Sequence, residues 1–198
     1  TAASGGFNLA STSGPLASVA SNLKLWCKGD AGVVKDASGN VMEWKDISGN
    51  GIKFTQGTST ARPVLTAASA SFNGYPALTF TTSQYLALSS SLDGGATSTY
   101  TAFVVDWVTG TNYRLCSSNS TNWLFGNWGG AEEKCYCNGW ISSSANTPTP
   151  DVLAHMYELS SNGTTGSGTN FYDYGVLQAT GTAGSPNGPG VMQLNGYS

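Results

Sequence analysis

The chain runs LKLWCKGDAGVVKDASGNVMEWKDISGNGIKFTQ over Leu23–Gln56, then RPVLT over Arg62–Thr66, FNGYPALTF over Phe72–Phe80 and QYLAL over Gln84–Leu88. Short alternating apolar runs are divided by Asp-Ala-Ser-Gly-Asn, Asp-Ile-Ser-Gly-Asn-Gly and Asn-Gly. Apolar residues at every second position give a strand one buried face. Asn-Gly supplies the positive φ of tight turns. The stretch therefore predicts closely spaced antiparallel strands.

The reading extends in both directions. Leu23, Leu25 and Cys27 fall on one face of a first strand, with Lys24, Trp26 and Lys28 on the other. Val41–Trp44 and Ile52–Phe54 flank the Asp46–Gly51 turn, and Ala77–Phe80 with Gln84–Leu88 reads as a hairpin. Tyr100–Val108 (YTAFVVDWV) is the most apolar run and predicts a central strand. Tyr113–Cys116, Trp123–Phe125 and Lys134–Trp140 follow at sandwich spacing. In Val152–Leu159 one face carries Leu153, His155, Tyr157 and Leu159. Phe171–Tyr174 and Val176–Ala179 make a hairpin about Gly175, and Val191–Leu194 is the last strand. About thirteen strands and no helical period beyond two turns predict an all-β fold, a two-sheet antiparallel jelly-roll sandwich rather than a seven-stranded immunoglobulin sandwich. The uncharged residues 1–21 read as an N-terminal arm with one candidate strand at Phe7–Ala10, leaving 22–198 as the domain.

Composition bounds the function. Charged residues make up 10% of the 198, against roughly 25% in ordinary soluble domains. The surface must be built from Ser, Thr, Asn, Gln and Gly, which points to the outside of a cell or a virion. Eight Lys and Arg without a basic run give nucleic-acid binding no electrostatic basis. Apolar runs of strand length exclude a membrane-spanning helix.

The Leu23–Gln56 run, with RPVL, NGYPALTF and QYLAL, resembles the laminin-G-like members of the concanavalin A-like jelly-roll superfamily. AHMYELSSNGTTGSGTNFYDYGVLQATG (154–181) resembles the same family's strand–turn–strand, with Tyr174 where Asn is usual. The likeness covers about residues 22–195. It implies sheets that the family completes with a further strand, hence an unfinished edge next to Val191–Leu194. Catalytic relatives on this fold carry Glu-x-Asp-x-x-Glu or Glu-x-Asp-x-Glu on one strand; Glu43-Trp44-Lys45-Asp46 does not match. Open edges accept strands from other chains, and head-to-tail contacts close into rings or run on as fibres. The expectation is a non-enzymatic structural or adhesive subunit. It would assemble with copies of itself, through its arm, into an extracellular filament or a virion (phage) appendage. The alternative is a carbohydrate-binding, lectin-like module that recognises surface glycans.

Individual residues sharpen that alternative. Cys116–Trp140 is dense in aromatics, and Trp123, Asn127, Trp128, Tyr136 and Trp140 are its candidate sugar or partner contacts. Aromatic faces stack on sugar rings and anchor protein interfaces. Alternation turns half of them inward. Among four cysteines, Cys116–Cys135 is the expected disulfide, stabilising by about 3 kcal/mol through loop entropy; Cys116–Cys137 is the alternative, and Cys27 reads as a buried thiol. A zinc site from Cys135, Cys137 and His155 lacks both ligand spacing and a fourth ligand. His155, the only histidine, reads as a packed or hydrogen-bonded core residue, since no Gly-x-Ser-x-Gly elbow occurs. No cofactor fingerprint is present. Asp30, Asp36, Asn40, Asp46 and Asn50 could ligate calcium but read first as turn caps. Asn119 and Asn162 fit the glycosylation pattern.

Overall fold

Strand alternation becomes ladders in a computed structural model describing residues 19–92, 99–109, 114–142, 151–163, 168–181 and 187–196. The expected strand Phe7–Ala10, residue Tyr113 and most of the arm lie outside the described residues. The fold is all-β, with short 3-10 turns as its only helical pieces among those residues. The strands are β1 (Val33–Lys35), β2 (Val41–Lys45), β3 (Lys53–Thr55), β4 (Val64–Thr66), β5 (Ala77–Thr79), β6 (Leu86–Leu88), β7 (Thr99–Trp107), β8 (Cys116–Ser118), β9 (Trp123–Trp128), β10 (Ala131–Cys137), β11 (Ala154–Asn162), β12 (Thr169–Asp173), β13 (Val176–Thr180) and β14 (Met192–Leu194).

They form two main antiparallel sheets. The larger has the order β1-β2-β3-β6-β14-β8-β9-β10, and the smaller has β13-β12-β11-β7. β4 and β5 make a separate two-stranded ribbon. The inner faces meet in one core. Val41, Phe54, Leu86, Trp123, Phe125, Cys135 and Cys137 come from the larger sheet, and Tyr157, Leu159 and Phe171 from the smaller. Phe125 bridges the layers, 6.5 Å from the ring of Tyr157 and 6.3 Å from that of Phe171. Trp123 Nε1 donates across the layers to Tyr100 Oη at 2.9 Å, which keeps a buried indole N–H satisfied.

Four expectations are corrected. Leu23–Lys28 forms no strand, and only Lys28 makes an isolated bridge, to Ala31. Its backbone bonds to a turn instead: Trp26 N–H donates to Asp46 Oδ1 at 2.8 Å, and Asn50 Nδ2 donates to the Leu23 carbonyl at 2.8 Å. Ala77–Phe80 and Gln84–Leu88 are not a hairpin. A turn closed by Gln84 N–H on the Thr81 carbonyl sends them apart, β5 to β4 and β6 to β3 and β14. β14 is not at a sheet edge but between β6 and β8. Conversely, β7 lies at the edge of its sheet among the described strands, and is not a central one. Its inward side is Tyr100, Ala102, Val104 and Asp106, while Phe103 (65% exposed), Val105 (59%) and Trp107 (41%) point outward.

Candidate functional site

The densest chemistry lies at one end of the sandwich, where β7, β11 and β12 face the β9–β10 hairpin. β11 points His155 inward, directly opposite Asp106 on β7. His155 Nδ1 lies 2.9 Å from Asp173 Oδ2 at the end of β12, and Nε2 lies 3.1 Å from Asp151 Oδ1 just before β11. The imidazole stacks on Tyr157, 5.3 Å away and 15° from parallel. From the other layer, Asn127 Nδ2 donates to Asp106 Oδ2 at 3.0 Å, and Glu132 Oε2 stands 3.7 Å from His155 Nε2.

A bulge delivers Glu132. Ala131 pairs with Trp128 but Lys134 with Gly126, so three steps on β10 span two on β9. Glu133 takes φ 56° to absorb the extra residue. Simple alternation from the inward Cys135 would put Glu132 outside. The bulge turns it in, where it is 3% exposed, consistent with the use of bulges to re-aim side chains. The turn after β12 adds a cover. Tyr174 and Gly175 have φ 46° and 76°, a two-residue hairpin loop between Asp173 and Val176. Tyr174 Oη donates to the Ala154 carbonyl, and its ring sits 6.0 Å from that of His155.

Acids and one base dominate the electrostatics. Five of the chain's eleven acidic residues, Asp106, Glu132, Glu133, Asp151 and Asp173, surround His155. Burial opposes charge on the imidazole, yet its bonds to Asp173 and Asp151 prevail and hold its pKa up at about 9. Burial pushes Asp106 up to about 6, although the Asn127 bond and His155 oppose this. Burial also raises Glu132 and Glu133. The Leu153 amide and then His155 hold Asp151 low. Asp106 Oδ1, Asn127 Oδ1, Glu132 Oε1, Tyr157 Oη and Asp173 Oδ1 are all buried without a hydrogen-bond partner. Such atoms cost about 1–3 kcal/mol each when left bare.

The sequence carries no alternating carboxylates on one strand; these acids converge from separate strands and a loop. Hydrolysis of a glycosidic bond needs two carboxyl groups that reach a sugar. Here Glu132 is 3% and Asp106 8% exposed, Glu133 and Asp173 are half-buried, and Asp151, with its side chain 46% exposed, opens to solvent. The arrangement suits holding a proton or a small cation better than straddling a polysaccharide. His155 is the hydrogen-bonded core histidine expected from sequence, but its partners were not foreseen.

The other candidates disperse. Trp123 (1% exposed) and Asn127 (6%) point into the core. Trp128, Tyr136 and Trp140 come together outside, with Trp140 5.1 Å from Trp128 and 5.2 Å from Tyr136. The Cys116–Cys135 disulfide is absent, and all four cysteines are thiols. Cys116 and Cys135 both pair with Phe125, one on each side. They are thus two strand spacings, about 9.5 Å, apart, beyond the roughly 7 Å limit for a bridge. Cys116 and Cys137 are no better placed, since Cys137 pairs with Trp123 farther along. Cys135 and Cys137 lie in the apolar core and do not join His155 in a zinc site. Cys27 is half-buried, its thiol pushed up to about 12 by burial and then by Asp46. The turn acids are occupied by protein donors. Asp36 accepts from the Ser38 and Asn40 amides and pairs with Arg62 at 2.8 Å. Asp46 accepts from Trp26, Ser48 and Asn50 amides, and Asp30 pairs with Lys28 at 3.2 Å. Asn119 and Asn162 are both exposed.

Comparison with known proteins yields no matching family model, no matching curated protein and no matching solved structure.

Proposed function

We propose that this chain is a non-enzymatic joining subunit that assembles with copies of itself through the open edge of β7. One observation carries the reading. β7 spans Thr99–Trp107, pairs only with β11 among the described strands, and turns Phe103, Val105 and Trp107 outward. A long, regular edge strand with an apolar outer face is what natural proteins blunt unless it is used. β7 carries no Lys or Pro, the common blocking residues. The occupant that fits is an extended segment from a second copy. Residues 1–18 are uncharged and include Phe7-Asn8-Leu9, whose alternation matches an apolar strip. The laminin-G-like affiliation and a setting outside the cell or on a virion belong to the same proposal, supported by the turn motifs and the low-charge, hydroxyl-rich composition.

Sedimentation of the full chain over a range of concentrations, with electron microscopy, tests it. The expected result is an assembly that Val105→Lys shifts to monomer and that deletion of residues 1–18 weakens. A monomer at every concentration ends the reading. Assembly that survives Val105→Lys rules out the β7 edge.

A second reading rests on the Trp128–Trp140–Tyr136 group, with Trp128 39% exposed. Such a group could stack on surface glycans, with aromatic faces meeting sugar rings. A glycan array read with wild type and Trp128→Ala separates it from the first, because Trp128 is not on β7.

A further inference from the structure

We propose that Glu132, Asp151 and His155 bind one divalent transition-metal ion, with Asp173 acting as the carboxylate that orients the imidazole. Each of the three offers one ligand atom, and these atoms lie within 4.8 Å of one another. His155 Nε2 is already 3.1 Å from Asp151 Oδ1 and 3.7 Å from Glu132 Oε2. Ligand atoms bound at about 2.0–2.2 Å around one tetrahedral ion stand roughly 3.4 Å apart, so the three need only a small contraction.

An independent observation points to a ligand. Glu132 is 3% exposed and its Oε1 is buried with no hydrogen-bond partner. Asp106, 8% exposed, likewise leaves Oδ1 bare beside the group. A carboxylate turned inward by a backbone bulge and left half unsatisfied is costly unless it meets a cation.

The far side of the imidazole fits as well. Asp173 Oδ2 lies 2.9 Å from His155 Nδ1. A proton on Nδ1 donated to Asp173 leaves the Nε2 lone pair facing Glu132 and Asp151. Metal-binding histidines are oriented in this way by a carboxylate. Tyr157, stacked on the ring, fixes its plane.

The donor set selects the ion class. One imidazole and two carboxylates suit zinc or manganese, whereas calcium takes six to eight oxygens. Two carboxylate charges neutralise a divalent ion. The ion binds the Nε2 lone pair of the tautomer that keeps its proton on Nδ1, and any proton on Nε2 leaves to solvent. Asp151, the most exposed of the three, gives the entry path and leaves room for water in a fourth position. The chain's thiols are elsewhere, in the core or beside Lys45.

The test uses the full chain and two probes. Zn2+ is titrated calorimetrically, and Mn2+, which has little affinity for thiols, is followed by paramagnetic broadening of the ring resonances of His155, the only histidine. One equivalent should bind, and the His155 ring signals should vanish at stoichiometric Mn2+. Glu132→Gln, close to isosteric, should weaken Zn2+ binding at least tenfold, and Asp173→Asn should weaken it about ten- to a hundredfold. Failure of wild type to bind either ion overturns the proposal. So does Mn2+ binding that leaves the His155 signals sharp, a reading that depends on no variant folding. Unchanged Zn2+ affinity in a folded Glu132→Gln protein overturns it equally.

Discussion

At the scale of single residues, the acid-rich end of the core stores a pH dependence. Burial holds the Asp106 carboxyl at about 6, against 3.8 for an ordinary aspartate. Between these values the native state carries more protons than the unfolded chain, so stability falls as pH rises. The favourable contribution is complete below about pH 3.8 and gone above about 6. It is worth roughly 3 kcal/mol at about 1.4 kcal/mol per unit. Asp106→Asn keeps an oxygen for the Asn127 amide and carries no charge to bury. In metal-free protein its thermal stability should exceed that of wild type most at about pH 7, and the difference should vanish towards about pH 4. A difference independent of pH would contradict this. The cysteines give a second prediction at the same scale. Cys116 and Cys135 sit on opposite sides of Phe125, so thiol titration of unreduced, denatured protein should find all four cysteines free. Two missing thiols would restore the disulfide. His155 was legible in the sequence as an inward histidine because β11 alternates without interruption. Its partners were not, because they come from β7, β10, β12 and a loop, and no local spacing joins those.

The elements themselves show which signals travel through sequence and which do not. Local hairpins were readable: β12–β13 turns at Tyr174–Gly175 and β2–β3 at the Asp46–Gly51 turn, because the residues that set φ lie inside the turn. Ladders between distant segments were not. β14 inserts between β6 and β8, a pairing across more than a hundred residues with β6, and nothing in Met192–Leu194 announces its neighbours. The bulge in β10 was also illegible, since the alternation places a strand at Lys134–Trp140, past the bulge, whereas β10 runs Ala131–Cys137, and its one extra residue decides that Glu132 faces His155. The opposing strand helps to hold it. Gly126 sits across from Lys134 with φ 111°, and a Cβ there would meet Leu115 Cδ2 at 2.5 Å. Gly126→Ala combines a strained backbone with overpacking, so it should cost about 2 kcal/mol or more, seen as a lower midpoint in urea. A change below about 0.5 kcal/mol would mean that β9 can relax and that the bulge does not depend on this glycine.

For the whole molecule, the contrast between its two layers matters most. Among the described residues the larger sheet has eight strands and the smaller has four, so the smaller layer ends at β7 on one side and β13 on the other. The two edges differ in kind. β13 is five residues long, follows a tight turn and has a register shift against β12 between Phe171 and Tyr172; shortness and irregularity protect an edge. β7 is nine residues long, in unbroken register with β11, and its outer face is apolar. Sequence pattern captured the apolarity of Tyr100–Val108 but assigned it to burial between strands. What it records is a strand with one face in the core and the other turned outward, a distinction that periodicity alone does not make. If that outward strip is where copies join, charge placed there should act where the same charge on β13 does not. Val105→Lys should shift sedimentation from assembly to monomer, while Leu177→Lys, on an equally exposed residue of β13, should leave it unchanged. Hydrogen exchange supplies the matching local reading. The β7 amides facing away from β11 should be protected in wild type at high concentration and exchange freely on dilution or in Val105→Lys, with β12 amides unaffected throughout. Equal loss of assembly in both lysine variants would mean that added charge, and not the β7 edge, controls association.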